Sequence, residues 1–213
     1  MLRPAFAAVV GGLALALAFP PTDWNVLAWV SLAPMFVIAT RARSRAALGW
    51  GWLGGVAFFL PLLHWLNFTF GTYSRIPWPL TWGPTMLLAG YCALWIGVVT
   101  AAMSWVASRL GVAPALGATP FLWVAAEWGR GHVLSGFPWG LLGYSQYLRL
   151  PIVQVAELGG VYAVSFVVVT VNAALAAFVM LPRCRGLAAL AIAGILVALS
   201  ALFGTSRLAP TPP

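Results

Sequence analysis

Charge is almost missing from this chain, and that scarcity decides the environment in which it folds. Its 213 residues hold eleven basic side chains, all of them Arg, and three acids, so that 7% of the residues are charged and 62% are hydrophobic. A soluble domain carries about 25% charged residues because its surface must face water. Lipid is therefore the environment this sequence selects. A helix of roughly 20 apolar residues crosses a hydrocarbon core of about 30 Å, which leaves room for roughly six to eight crossings. The formal net charge of +8 would point to nucleic acid in a soluble protein. Here the arginines stand singly or in short clusters between apolar runs, which is the pattern of a topology signal, and no nucleic-acid partner is expected.

Apolar runs and helix breakers predict an all-α, polytopic membrane helix bundle of about seven transmembrane helices. The spans fall at about residues 5–19, 26–40, 46–70, 84–110, 113–128, 159–181 and 187–203. The first has the single early Arg and apolar core of a secretory signal, but Ala-Phe-Pro-Pro is a poor cleavage site and further spans follow at once, so it reads as a retained helix. Pro20-Pro21 ends it. The first two spans are short, and Trp24 and Trp29 are placed to anchor them at the interface. Gly49, Gly51, Gly54 and Gly55 in the third span predict close approach by a neighbouring helix. Residues 1–204 form the membrane domain on this reading, and the polar, Pro-rich 205–213 an exposed linker.

With seven spans the connections alternate between two sides. One side collects Arg3, Arg41, Arg43, Arg45, Arg109, Arg183 and Arg185; the other collects Arg75, Arg130, Arg149 and Arg207 with all three acids, Asp23, Glu127 and Glu157. The arginine-rich side is cytoplasmic by the positive-inside rule, which puts the N-terminus inside and the tail outside. No internal repeat is visible, and the middles of the spans hold almost no ionisable residue, which ranks a small transporter low.

The most unusual stretch is EWGRGHVLSGFPWGLLGYSQ, residues 127–146. Its glycines and Pro138 break regular structure, while Trp128, Phe137, Trp139 and Tyr144 suit a membrane interface. A re-entrant or interfacial aromatic loop is expected. Non-helical backbone at membrane depth survives only where protein or a water-filled cavity covers it, so such a loop can line a chamber. Glu127 and Arg130 lie three apart and would face the same way on a helix, where they are expected to pair. That pair reads either as a salt bridge fixing the helix end or as a polar site at the mouth of a lipid pocket. His64 is expected to make an interhelical hydrogen bond, Asn172 to tie helices together, and His132 to be solvated without a partner. Cys92 and Cys184 point to neither a disulfide framework nor, with only the two histidines to join them, a metal site. No Walker loop, dinucleotide fingerprint or zinc-protease motif occurs, no cofactor is implied, and no Lys is present.

Several of these segments together resemble one family. LALAFPPTDWNVLAWVSLAPM is similar to the opening of the apolipoprotein N-acyltransferases, GWLGGVAFFLPLLHWLNFTFGTY to their third helix and the loop after it, and GGVYAVSFVVVTVNAALAA to their sixth helix. EWGRGHVLSGFPWGLLGYSQ, around GFPW and GYSQ, is the most specific match. The resemblance covers essentially the whole chain. It implies a bacterial inner-membrane protein of a family that moves an acyl chain from a membrane phospholipid to the N-terminal cysteine amine of diacylglyceryl lipoproteins, through a cysteine thioester. The family's catalytic Glu, Lys and Cys belong to a nitrilase-like domain that follows the seventh helix, with an eighth helix after it. None of those three transfers to a residue of this chain, so the resemblance implies no catalytic residue here. What transfers is substrate- and lipid-binding: Phe137, Pro138, Trp139, Tyr144 and Gln146 in the loop beneath the chamber, and Glu127 and Arg130 before it.

On this reading the chain is the membrane half of an acyltransferase and is inactive alone. A stand-alone scaffold that recruits a separate nitrilase-like subunit is the alternative. The charge pattern makes a direct prediction: a topology reporter fused after Pro213 is active outside the cytoplasm, and a cytoplasmic signal contradicts the seven-span arrangement.

Overall fold

The computed structural model describes residues 2–74 and 77–208; Met1, Arg75, Ile76 and residues 209–213 lie outside the described residues, as do the side chains of Leu2 and Arg3. Regular structure among the described residues is entirely helical. In chain order the α-helices are α1 (Leu2–Ala16), α2 (Ala33–Arg41), α3 (Ser44–Leu62), α4 (Trp65–Tyr73), α5 (Trp82–Leu110), α6 (Val112–Arg130), α7 (Leu150–Val153), α8 (Ala156–Met180) and α9 (Arg183–Leu208). Short 3-10 turns at Asn25–Trp29, Trp78–Thr81, Val133–Ser135 and Leu142–Gln146 join them.

Three of these helices are long and apolar enough to cross a membrane, or four if α3 and α4 count as one bent span; α1 and the segment Asn25–Arg41 are apolar but shorter. The expectation was about seven. The expected third span, 46–70, is two helices meeting at 55°. Pro61 cannot donate to the helical ladder, and Leu63 leaves helical geometry at φ −100°, ψ 7°. The expected seventh span is longer than its sequence pattern, because α9 continues through the exposed Thr205, Ser206, Arg207 and Leu208.

Lipid supplies no hydrophobic drive between helices, so close packing and hydrogen bonds must hold the bundle. The broadest seam runs between α3 and α5. A Cβ on Gly55 would sit 2.8 Å from Cα and Cβ of Ala93, and one on Gly51 would sit 3.0 Å from Cα of Gly97. Thr100 closes the seam with a hydrogen bond to the Ala47 carbonyl at 2.8 Å. Gly54 packs against the Ala8 carbonyl of α1, whereas Gly49 faces open space. Beneath the seam, Phe36, Phe58, Phe59, Leu63, Met103 and Trp123 form a buried apolar centre.

Asn172 ties helices together as expected. It is fully buried; its Oδ1 accepts the backbone N–H groups of Leu32 and Ala33 at 2.9 and 3.1 Å, and its Nδ2 donates to the Ala28 carbonyl at 2.8 Å. One amide from α8 thus satisfies donors that the start of α2 leaves without helical partners. His64 does not reach another helix: it is exposed, and its Nδ1 lies 2.7 Å from the Pro61 carbonyl at the break in its own span.

The two ends of the bundle differ in charge. Ser104 donates to the Ala42 carbonyl at 2.6 Å, and Thr40 reaches Met180 at 3.1 Å, which gathers the ends of α2, α5 and α8 with the clusters Arg41, Arg43, Arg45 and Arg183, Arg185. At the other end Tyr147 donates to Asp23, Arg149 donates to Asn25, and Glu157 pairs with Arg207 at 3.1 Å.

The α3–α5 seam predicts a contrast. Gly55→Val destabilises the protein by about 1–3 kcal/mol through overpacking, while Gly49→Ala is neutral or stabilising by up to about 1 kcal/mol. Thermal unfolding of the two variants in detergent micelles checks this.

Candidate functional site

α6 ends where its last turn meets the aromatic loop, and Glu127 and Arg130 sit at that junction. Both are buried, at 5% and 3% exposure. They do not form the expected ion pair; among the described residues the ion pair is Glu157–Arg207. Each holds the loop's backbone instead. Glu127 Oε1 accepts the N–H of Leu142 at 2.7 Å and the indole N–H of Trp123 at 3.0 Å. Arg130 donates through Nη1 to the carbonyls of Phe137 at 2.9 Å and Trp139 at 2.6 Å, with its guanidinium 5.0 Å from the centre of the Phe59 ring. A loop without helical hydrogen bonds leaves its N–H and C=O groups unpaired, and in an apolar surround each must find a partner. The carboxylate takes a donor of the loop, and the guanidinium takes two acceptors.

The rest of the loop is anchored in the same way. Ser165 of α8 accepts the N–H of Gly143 at 2.8 Å. Gln146 is fully buried, accepts the Trp29 indole N–H at 2.9 Å and donates to the Asn25 carbonyl at 3.1 Å, tying the loop to the 3-10 turn after α1. Gly140 occupies φ +65°, and a Cβ there would run into the end of the Leu62 side chain. Only glycine fits that turn without strain or collision. His132 is exposed as expected but has partners: it stacks on Trp128 at 4.3 Å, with Nδ1 2.7 Å from the Trp128 carbonyl.

Anchored so, the loop closes one wall of an open cleft of about 630 Å³. Pro138, Trp139, Gly140, Tyr144 and Tyr147 form that wall; Phe19 and Pro20 after α1, and Leu62 and Trp65 at the α3–α4 break, form the other. Trp65 and Trp139 meet with ring centres 5.4 Å apart. At the rim Tyr147 donates to Asp23 at 3.0 Å, and that bond raises the phenol's pKa above its ordinary value. An aromatic interior with a polar edge suits a molecule with an apolar chain and a polar head. A second apolar groove, of about 510 Å³ between α6, α8 and α9, contains none of the residues singled out in the sequence.

The seven residues expected at the site therefore divide. Pro138, Trp139 and Tyr144 line the cleft. Phe137 lies behind Trp139, its ring stacked at 6.5 Å and packed on the buried centre. Glu127, Arg130 and Gln146 are loop anchors beneath it. Sequence reading missed Phe19, Pro20, Leu62, Trp65, Gly140 and Tyr147. The Pro20-Pro21 turn and the Pro61 break carried the available signal, because both mark places where a span must expose an end.

The anchoring makes a prediction. Arg130→Ala costs about 1.5–3 kcal/mol per charged hydrogen bond lost, and amide exchange across residues 137–146 accelerates. Glu127→Gln keeps an oxygen facing Leu142 and accelerates exchange less than Glu127→Ala does.

The family model described as the apolipoprotein N-acyltransferase N-terminal domain matches residues 11–174. Relatives named apolipoprotein N-acyltransferase include proteins of Geobacter metallireducens, 36% identical over 81% of this chain and 33% of the relative, and of Coxiella burnetii, 34% identical over 78% and 34%. A relative of the same name from Gloeobacter violaceus is 37% identical over 80% of this chain and 33% of its own length. The chain spans about a third of the length of the curated relatives it matches. It is a bacterial membrane protein and belongs to the apolipoprotein N-acyltransferase N-terminal domain family.

Proposed function

We propose that this chain provides the membrane-embedded, lipid-binding part of an apolipoprotein N-acyltransferase of the bacterial inner membrane, with its N-terminus cytoplasmic. The aromatic cleft carries the reading: one of its walls comes from the loop that most specifically matches the family, and its composition suits an acyl chain. The reaction moves a phospholipid's acyl chain to the N-terminal amine of a diacylglyceryl lipoprotein. Its catalytic Glu, Lys and Cys belong to a nitrilase-like domain beyond these 213 residues, which contain no Lys. Trp65, Trp139 and Tyr144 hold the apolar chain against the bundle while the polar rim faces the aqueous side. Glu127, Arg130 and Gln146 act as positioning residues: the hydrogen bonds of Glu127 and Arg130 end on the loop's backbone, Gln146 holds the loop to Trp29 and Asn25, and none of the three lines the cleft.

Joined to the nitrilase-like domain, Trp139→Ala lowers acyl transfer at least about tenfold, equivalent to about 1.4 kcal/mol, at unchanged membrane abundance. Equal activity at equal abundance contradicts a lining role for Trp139.

A further inference from the structure

The cleft has an open end and a closed one. Tyr147, half-exposed and hydrogen-bonded to Asp23, marks the open, polar rim. Phe19, 4% exposed, and the buried Gly140 mark the inner end, where the partly buried Leu62 packs against the apolar centre. A molecule with one polar head and one apolar tail enters such a cleft tail first, because burying its head among apolar side chains would cost it its hydration.

The residues behind the inner end decide where the tail stops. Gly140 borders the cleft and also a smaller internal space of about 20 Å³ whose walls include Phe58, Phe59 and Trp123; it is the one residue common to the two linings. A Cβ on Gly140 would meet Cδ2 of Leu62 first, then Cε1 of Phe59 at 3.4 Å and Cζ of Phe58 at 3.7 Å. Leu62 borders the cleft but not the inner space, so it stands on the cleft side of this partition. Glycine contributes no side chain there, and one aliphatic group separates the cleft from the two phenyl rings. Phe19 closes the same end, but the Phe58 ring backs it at 5.3 Å and it belongs to the buried core, so its loss opens a hole in the fold.

We infer that Leu62 is the stop of the cleft, and that its side chain sets how many carbons of an acyl tail the cleft accepts. This rests on the cleft seating an acyl chain, as proposed above. Each methylene that can be buried strengthens binding about fourfold, and each one that meets the stop adds nothing. Leu62 is thus a specificity-determining residue that touches the tail alone. Leu62→Ala removes three carbons and admits a tail about two to three carbons longer. Leu62→Phe adds bulk on the cleft side and shortens the tail accepted.

Tail-end photo-crosslinking tests this. The chain and its variants are reconstituted with phospholipids of one head group and graded tail lengths, each with a diazirine on the last carbons, and adducts are mapped by mass spectrometry. In the parent chain, tail ends are expected on Phe19 and Leu62 and, at every length, not on Phe58 or Phe59, which are each 2% exposed. In Leu62→Ala they reach Phe58 and Phe59, and a competitor two methylenes longer than the parent's best gains at least about tenfold over it. In Leu62→Phe they withdraw to Trp65, Trp139 and Tyr144. Cleft labelling with the same tail-end pattern in parent and variants overturns the inference and leaves the acyl seat standing, as does labelling of Phe58 and Phe59 in the parent. Parent cleft labelling no stronger than on Ile195 and Leu202 of α9 overturns the seat itself, and the inference with it. If Leu62→Ala loses cooperative thermal unfolding, Leu62→Phe decides by the same criterion.

Discussion

Backbone that leaves a helix inside an apolar surround must find hydrogen-bond partners before it can hold a shape. In this protein that constraint falls on the loop after α6, and side chains of neighbouring helices meet it. Arg130 takes two carbonyls, Glu127 and Ser165 take one N–H each, and Gln146 ties the loop's end to the turn after α1. None of these anchors lines the cleft. The division of labour is physical: polar side chains spent on backbone atoms leave Trp139, Tyr144 and Tyr147 to face outward, half exposed, from a fixed frame. Burying Arg130 and Glu127 is tolerable because each meets several partners of opposite polarity, even though they do not pair with each other.

The cleft's other wall has a separate origin. Tight packing of α3 on α5 through glycines fixes the line of α3, and Pro61 ends that line. α4 departs at 55°, carrying Trp65 toward Trp139. Asn172 gives a parallel case, where one buried amide allows α2 to begin inside the bundle after an irregular turn.

Much of this was legible in the sequence. Scarcity of charge dictated a membrane bundle, the glycine run marked a close approach by a neighbouring helix, Asn172 was readable as a tie, and the aromatic stretch of 127–146 stood out, its first four residues being the end of α6 and the rest irregular. The break at Pro61 was not foreseen, because an apolar run hides a bend that depends on one missing N–H and on what packs beside it. The i, i+3 spacing of Glu127 and Arg130 suggested a pair; spacing shows which side chains share a face but not which backbone returns to that face a dozen residues later. The cleft's facing wall was invisible for the same reason. Phe19, Leu62 and Trp65 look like ordinary span residues until the chain brings three helix ends to one place.

On the proposed function, the loop held by α6 forms one wall of a cleft that seats an acyl chain. Photo-crosslinking reads that seating out: the chain is reconstituted with a phospholipid bearing a diazirine on its acyl tail, and adducts are mapped by mass spectrometry. Adducts concentrated on Trp65, Trp139, Tyr144 and Tyr147, above the level on exposed α9 residues such as Ile195 and Leu202, are the predicted result. Labelling that follows lipid exposure alone, with the cleft no more marked than α9, would contradict an acyl chain seated in the cleft.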